Sequence, residues 1–370
     1  MGQTPAAAIL LTAVRLAACM KVAWFSDTFE QNNGVATYLQ ETLPMLSKKI
    51  PVTLYTGRVT KEYPFPTVSL GYVEDPLLPS YDMIIPPVKP VKCDIAHAHS
   101  QYSLGVFASQ FSVPKVITAH FVAGHFLEFF FKSAPVPKFL EDAVWSYEIW
   151  LLNRFDRVVC QTDAGKRMFR RLGLRRRVEV IANGMNLENY SSANAARFRR
   201  KYKIDRPFAL FIGRLDASKQ PFWILDVARR LKQMQFIVSG AGTLEAELKK
   251  KAPPNVIFYG RLPRQDLLDC YKAAFALLMP SLTETEGLVA QEAMACGTPV
   301  LISDLDILKE VVGKGGLACR DSGEMREKLS MLYGNSSLHA ELSAKAVEEV
   351  AKRDINISVQ KLVRLYESLL

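Results

Sequence analysis

Residues 280–302 read PSLTETEGLVAQEAMACGTPVLI, and this stretch restricts the chain to one kind of fold. Just upstream, FALLM at 275–279 is an unbroken apolar run stopped by Pro280, the pattern of a strand buried on both faces of a parallel sheet. A polar turn, TETE, leads to Gly287. Leu288, Val289, Met294 and Ala295 then mark a short helix, which Cys296-Gly297-Thr298-Pro299 ends with Gly at the turn and Pro just beyond. VLI at 300–302 begins another strand. Glu284 and Glu292 bracket the helix start. The amides of Gly287, Leu288 and Val289 lack intrahelical partners there, so they are able to face an anion. Taken alone, a turn without any ligand accounts for the stretch equally well.

The same alternation runs through most of the chain. Short apolar runs at 21–26, 52–55, 94–99, 115–119, 156–161 and 178–181 read as strands, each followed by a turn or a helical pattern. A second series follows at 208–212, 235–239 and 256–259, ahead of 275–279 and 300–302. Repetition of this kind predicts an α/β fold with parallel sheets, and ligands at the carboxyl ends of the strands. A length of 370 residues favours two domains over one. We place the first at 20–190 and the second at 205–352, with a polar, charged linker side between them and an amphipathic C-terminal helix over 353–370. Residues 1–19, MGQTPAAAILLTAVRLAAC, lack an early Lys or Arg and carry Arg15 inside the apolar run, so they read as an upstream extension rather than a targeting segment.

Several positions at strand ends carry chemistry. Gly34 follows Asn32-Asn33 and opens a helix, where a backbone without Cβ lets amides approach a phosphate or a sugar. His97, His99 and His120 fall near strand ends. His97-x-His99 is a poor metal pair, because no third ligand stands out. Gly213-Arg214 and Lys219 follow the strand at 208–212, and two cations beside a strand terminus suit a diphosphate. Gly240-Ala241-Gly242 is not a dinucleotide fingerprint, since the third Gly position is Glu245.

Charge and cysteine usage exclude some classes. Six scattered cysteines with no CxxC pair argue against a disulfide framework or a zinc site. Residues 154–206 hold 15 Lys and Arg against 5 Asp and Glu, a balance equal to the whole net charge of +10. No nucleic-acid motif accompanies this basic stretch. The aromatic-rich segment 121–155 precedes it directly, and the two together suit either an internal helical hairpin beside a solvated face or a surface entering an anionic lipid headgroup layer. No run after residue 20 is apolar enough over sufficient length to span a bilayer.

Gly213-Arg214-x4-Lys219, Gly240-x-Gly242 and Glu284-x7-Glu292 with AMACGTPV occur in that order, and together they resemble the retaining glycosyltransferases of family 4. SDTFEQNNGVATYL near the start and VIANGMNLENY at 180–190 resemble segments of the same family, so the likeness runs from Met20 through nearly the whole chain. Within the family the aromatic-basic region is most similar to glycolipid-forming members, such as diacylglycerol glucosyltransferases and phosphatidylinositol mannosyltransferases. The resemblance implies the GT-B fold, two Rossmann-like domains facing each other across a cleft. It implies transfer of a hexose from a UDP- or GDP-sugar to an acceptor hydroxyl with retained configuration, without a metal or other cofactor.

By the same resemblance Arg214 and Lys219 neutralise the diphosphate and Glu284 binds the sugar hydroxyls. His120 lies beneath the donor sugar. Gly34, Gly213, Gly287, Leu288, Val289 and Glu292 contact the donor, Glu292 through the ribose. The expected partners are a nucleotide sugar, a lipid acceptor and an anionic membrane surface, with no nucleic acid. The expected place is the cytoplasm, peripheral at the inner face of the cell membrane. A soluble acceptor, or a noncatalytic nucleotide-sugar-binding module, is the alternative. The chain departs from the family at Glu286, Gln291 and Asn186, and the TETE run leaves Glu284 and Glu286 as rival first carboxylates.

Overall fold

A computed structural model of the chain describes residues 20–31, 33–74, 82–87, 89, 91–120 and 137–370. The expectations for residues 1–19, for Asn32 and for the aromatic run 121–136 lie outside the described residues. The chain divides into two compact units. Among the described residues the first holds 20–120, 138–185 and Ile355–Leu370, and the second holds Pro137 and Asn186–Asp354.

The strands of the first unit are β1 (Val22–Phe25), β2 (Val52–Thr56), β3 (Thr67–Ser69), β4 (Tyr72–Glu74), β5 (Asp82–Ile84), β6 (Ile95–Ala98), β7 (Lys115–Thr118), β8 (Arg157–Cys160) and β9 (Arg177–Val180). Seven form one sheet in the order β3-β2-β1-β6-β7-β8-β9, with every neighbouring pair parallel. β4 and β5 pair antiparallel apart from it. All residues of β1 and β6 are buried, as strands covered on both faces must be. Helices α1 (Gly34–Leu46), α2 (Ser103–Ala108), α3 (Lys138–Leu152) and α4 (Asp163–Arg171) flank the sheet sequence. α1 begins where the Asn33 side chain accepts from the Ala36 amide at 2.9 Å, a side-chain cap on an orphan donor. Its Leu39, Leu43 and Leu46 recur at helical spacing and are fully buried.

The second unit alternates helix and strand. After a 3-10 turn at Leu187–Tyr190 come α5 (Ala195–Tyr202), β10 (Phe208–Ile212), α6 (Phe222–Arg230), β11 (Gln235–Ser239), α7 (Glu245–Lys251), β12 (Val256–Gly260) and α8 (Arg264–Ala273). Then follow β13 (Ala276–Met279), α9 (Leu288–Ala295), β14 (Val300–Ser303), α10 (Asp306–Val312), β15 (Gly316–Cys319), α11 (Ser322–Tyr333) and α12 (Ser336–Ala351). The sheet order is β12-β11-β10-β13-β14-β15, all parallel. The strand order reverses between β10 and β13, the place where open α/β sheets accept ligands. The last helix, α13 (Ile355–Glu367), belongs to the first unit. Its Val359, Leu362 and Tyr366 share a core with Leu39 and Leu43 of α1, and Trp24 donates through Nε1 to the Tyr366 hydroxyl at 2.9 Å.

Two boundaries differ from the sequence reading. The second unit starts at Asn186 rather than 205, and the first ends at Met185 rather than 190. The polar stretch read as linker contains α5, which is tied down. Arg197 pairs with Asp269, and Lys201 with Asp266 at 2.6 Å. Charge density suggested a solvated linker, whereas both carboxylates of α8 are claimed from across the interface of two helices.

Candidate active site

The second unit gathers most of the singled-out residues at the carboxyl ends of β10 and β13. β10 runs into Gly213 and Arg214, and the turn is locked to its neighbour: Gly213 N donates to Ser239 O at 3.1 Å and Leu215 N to Ala241 O at 3.0 Å. This contact explains the Gly240-x-Gly242 pair. A Cβ on Gly240, whose φ is +144°, would stand 1.8 Å from the Gly213 carbonyl, and one on Gly242 2.4 Å from the Leu215 carbonyl. The two glycines therefore let one strand-end turn press on another.

Arg214 pairs through Nε with Asp216 at 2.8 Å and reaches Ser218 Oγ at 3.3 Å, with half of its side chain exposed. Lys219 sits lower, 18% exposed, and its ammonium pairs with Glu284, itself 10% exposed. Leu282 N donates to Ser218 O at 2.7 Å, so the loop after β13 is fastened to the loop after β10. Gln220, next to Lys219, holds a left-handed φ of 44°, costly for a residue with a Cβ, and closes this short turn.

The structure separates the two rival carboxylates. Glu284 meets Lys219, whereas Glu286 is 1% exposed and points to Arg353, at 3.3 Å. Glu286 is thus buried against Arg353 within the unit. Gly287 follows at φ 70°, where a Cβ would lie 2.6 Å from Leu308 Cδ2. It turns the chain so that α9 starts at Leu288 with its first amides free of i−4 carbonyl partners. At the other end of α9, Gly297 at φ 76° and the Thr298 N–H to Ala293 O bond, 2.9 Å, close the helix.

Glu292, one turn into α9, is 15% exposed. Its Oε1 accepts from Arg264 Nη1 at 2.8 Å and from the Tyr190 hydroxyl at 3.2 Å, and its Oε2 from the Tyr271 hydroxyl at 2.7 Å. Burial first, and the Glu292 charge second, push the Tyr271 hydroxyl well above its ordinary pKa, so it stays a donor. Burial lowers the Arg264 pKa, but the charge of Glu292 outweighs this and the guanidinium stays protonated. None of these three donors was legible in the sequence, because they stand 21 to 102 residues away from Glu292.

In the first unit, Gly34 is exposed at the opening turn of α1. His120 follows β7, with Nε2 3.2 Å from His99 Nδ1 and its ring 4.8 Å from that of Tyr38. His97 is committed through both nitrogens, to Tyr366 Oη at 2.5 Å and Thr118 Oγ1 at 2.8 Å, which leaves no lone pair for a metal. Since the Tyr366 hydroxyl accepts from Trp24, its proton goes to His97 Nδ1, and His97 then donates from Nε2 to Thr118. Burial lowers all three histidines, His120 to about 3, so the row is neutral.

Sequence reasoning passed over Asp27, directly after β1. Its carboxylate takes bonds from Ser100 Oγ at 2.5 Å, from Ser103 Oγ and from Leu104 N at 3.1 Å. Burial raises it to about 6 despite those bonds. The polar turn SDT after an apolar strand was its available signal.

Two family models match the chain. Glycosyltransferase Family 4 covers residues 32–189, and Glycosyl transferases group 1 covers residues 194–349. Among curated proteins, a D-inositol 3-phosphate glycosyltransferase of Frankia alni is 31% identical over 52% of this chain and 54% of its own length. A phosphatidyl-myo-inositol mannosyltransferase of Mycobacterium leprae is 28% identical over 51% of this chain and 53% of its own. The matched stretch thus spans about half the length of these curated relatives. Among solved structures, sucrose-phosphate synthase from Thermosynechococcus elongatus superposes with a TM-score of 0.78 at 20% identity, covering 95% of this chain and 99% of that one. Anabaena HepE, solved in complex with UDP-glucose, gives 0.75 at 18% identity over 94% of this chain and all of its own. Each family model falls almost wholly on one of the two parallel-sheet units, in the order the motifs predict, and the chain belongs to the family 4 glycosyltransferases of the GT-B fold.

Proposed function

We propose that this protein transfers a hexose from a nucleotide diphosphate sugar to an acceptor hydroxyl, with retained anomeric configuration. One observation carries the reading: Arg214, Lys219, Glu284 and the first turn of α9 converge at the strand-order reversal of the second unit. The C1–O bond to the diphosphate breaks while the guanidinium, the ammonium and the helix amides receive the developing charge. Glu284 gives up part of its hold on Lys219 to the sugar hydroxyls, and Glu292 takes the ribose. The acceptor oxygen bonds to C1, and its proton passes to an oxygen of the departing diphosphate. Two cations at the diphosphate do the work that a divalent ion does elsewhere, so turnover survives chelation with EDTA.

The acceptor we infer is a membrane lipid, reached from the inner face of the cell membrane. Phe139 and Trp150 of α3 are 70% and 49% exposed, and Arg154 stacks 5.1 Å from the Trp150 ring centre, a surface suited to an anionic headgroup layer. No described helix is long and apolar enough to cross a membrane. A relative named for phosphatidyl-myo-inositol supports this choice, while others named for D-inositol 3-phosphate favour a soluble acceptor. Incubation with UDP- and GDP-sugars, with either anionic vesicles or inositol phosphates, and NMR of the product linkage, tests the whole reading. Release of free sugar without transfer, or an inverted linkage, contradicts it.

A further inference from the structure

The carboxylate of Glu292 is held more elaborately than a surface acid needs. Three side chains from two elements reach it: Tyr190 from the 3-10 turn before α5, and Arg264 and Tyr271 from the first residue and the body of α8. The bonds close into a ring. Arg264 donates from Nη1 to Glu292 Oε1 at 2.8 Å and from Nη2 to the Tyr190 hydroxyl at 3.2 Å, and Tyr190 donates on to the same Oε1 at 3.2 Å. The Arg264 guanidinium also lies 5.3 Å from the centre of the Tyr190 ring. Tyr190 is 5% exposed and Tyr271 fully buried, so both hydroxyls are fixed in place. Arg264 keeps 46% of its side chain exposed and is the one donor at the edge of the group.

An ionised carboxylate accepts about four hydrogen bonds, two on each oxygen. Oε1 carries two and Oε2 one, so the ring leaves Oε2 with acceptor capacity and a fixed plane. We infer that Arg264 and Tyr190 are positioning residues for the nucleotide: they orient Glu292 so that its Oε2 recognises a ribose hydroxyl, and thereby set the preference for ribonucleotides over deoxyribonucleotides. This rests on the ribose role given to Glu292 above. Arg264 pairs its charge with this mostly buried carboxylate, and Tyr190 holds the guanidinium by a hydrogen bond and a ring face. A purely structural ring, joining α8 to α9, makes a different forecast, because its loss lowers stability without changing which nucleotide is preferred.

The test is calorimetric binding of UDP and 2′-deoxy-UDP, and of GDP and 2′-deoxy-GDP, to the full chain and to Arg264→Gln, Arg264→Lys, Tyr190→Phe, Glu292→Gln and Arg264→Gln/Glu292→Gln. The wild type is expected to prefer the ribonucleotide by about tenfold or more, the scale of a hydrogen bond to a charged group. Arg264→Gln is expected to lose most of that ratio, Arg264→Lys to keep part of it, and Tyr190→Phe to fall between. The double variant should match Glu292→Gln, because both changes act through one carboxylate. If Arg264→Gln lowers the melting temperature but keeps the wild-type ratio, the positioning role is refuted while the ribose role stands. Should the wild type and Glu292→Gln show equal, indifferent ratios, the ribose role fails and the inference falls with it. Binding of no nucleotide at all overturns the transferase reading itself.

Discussion

The two sheets of this protein end in opposite chemistry. At the strand ends of the first unit the histidines form a shared, uncharged row, and the one carboxyl beside them, Asp27, is raised by burial to about 6. At the strand ends of the second unit the groups are charged and paired, Arg214 with Asp216, Lys219 with Glu284, and Arg264 with Glu292. Neutral donors and acceptors suit hydroxyl groups, whereas pre-paired ions suit a dianion that exchanges its partners without stranding a charge. The same architecture thus presents an edge of mostly neutral groups in one unit and an edge of paired ions in the other.

The sharpest way to break this comparison is to remove the cations. Arg214→Ala and Lys219→Ala are each expected to cut turnover by about a hundredfold to a thousandfold, as loss of a charge-stabilising donor does. Steady-state kinetics on a nucleotide sugar checks this. The two variants part company in stability. Arg214 is half exposed, so its loss leaves melting nearly unchanged, whereas Lys219→Ala strands Glu284 at 10% exposure and lowers the melting temperature. Near-normal turnover in either variant sinks the phosphate role.

Next in size is the contrast inside TETE. Glu286→Ala removes one partner of a pair whose members are 1% and 13% exposed, and should cost about 3 kcal/mol in denaturant unfolding. Per folded molecule its turnover stays near that of the wild type, while Glu284→Gln loses turnover. The reverse pattern would return Glu286 to the site.

Much of this architecture was readable and the pairing was not, for a physical reason. Runs such as FALFI and FALLM declare buried strands because nothing polar interrupts them, and Gly213, Gly287 and Gly297 mark places where backbone must turn or touch. The direction of a side chain inside a loop leaves no such trace. Glu284 and Glu286 are alike in sequence, and only the left-handed turn at Gly287 and the distant Arg353 separate them. The partners of Glu292 come from two other elements, 21 to 102 residues away, so no local spacing announces them. Charge density at 191–204 misled for a related reason, since Arg197 and Lys201 serve acids on another helix.

Acid probes the first unit in turn. His120 has a folded pKa of about 3 against an ordinary 6.5, and His97 and His99 are lowered as well, all by burial. Between these values the unfolded chain binds more protons, so the contribution is complete above 6.5 and is lost as pH falls towards 3. Asp27 opposes this with one group: raised from 3.8 to about 6, it stabilises below 3.8 and ceases to as pH rises through 6. Three groups outweigh one, and unfolding midpoints should fall from pH 7 to pH 4. His120→Gln should flatten the slope, and an unchanged slope would show that the histidines are not buried neutral.

The smallest effect isolates Asp27 itself. Asparagine keeps a carbonyl to accept from Leu104 N and loses the titration, so Asp27→Asn should cost on the order of 1 kcal/mol, one neutral hydrogen bond. The cost must depend on pH in a definite direction. At pH 5 the wild-type carboxyl takes up a proton on folding, which stabilises it relative to an asparagine that cannot. At pH 7.5 the wild type instead folds with a buried charge, and asparagine escapes that penalty. The variant is therefore further below the wild type at pH 5 than at pH 7.5, where the two nearly coincide. A cost equal at the two pH values would mean that Ser100, Ser103 and the Leu104 amide hold Asp27 as an anion across that range. The first unit would then carry that charge at pH 5 as well as at pH 7.5, and the contrast with the second would narrow to one of degree.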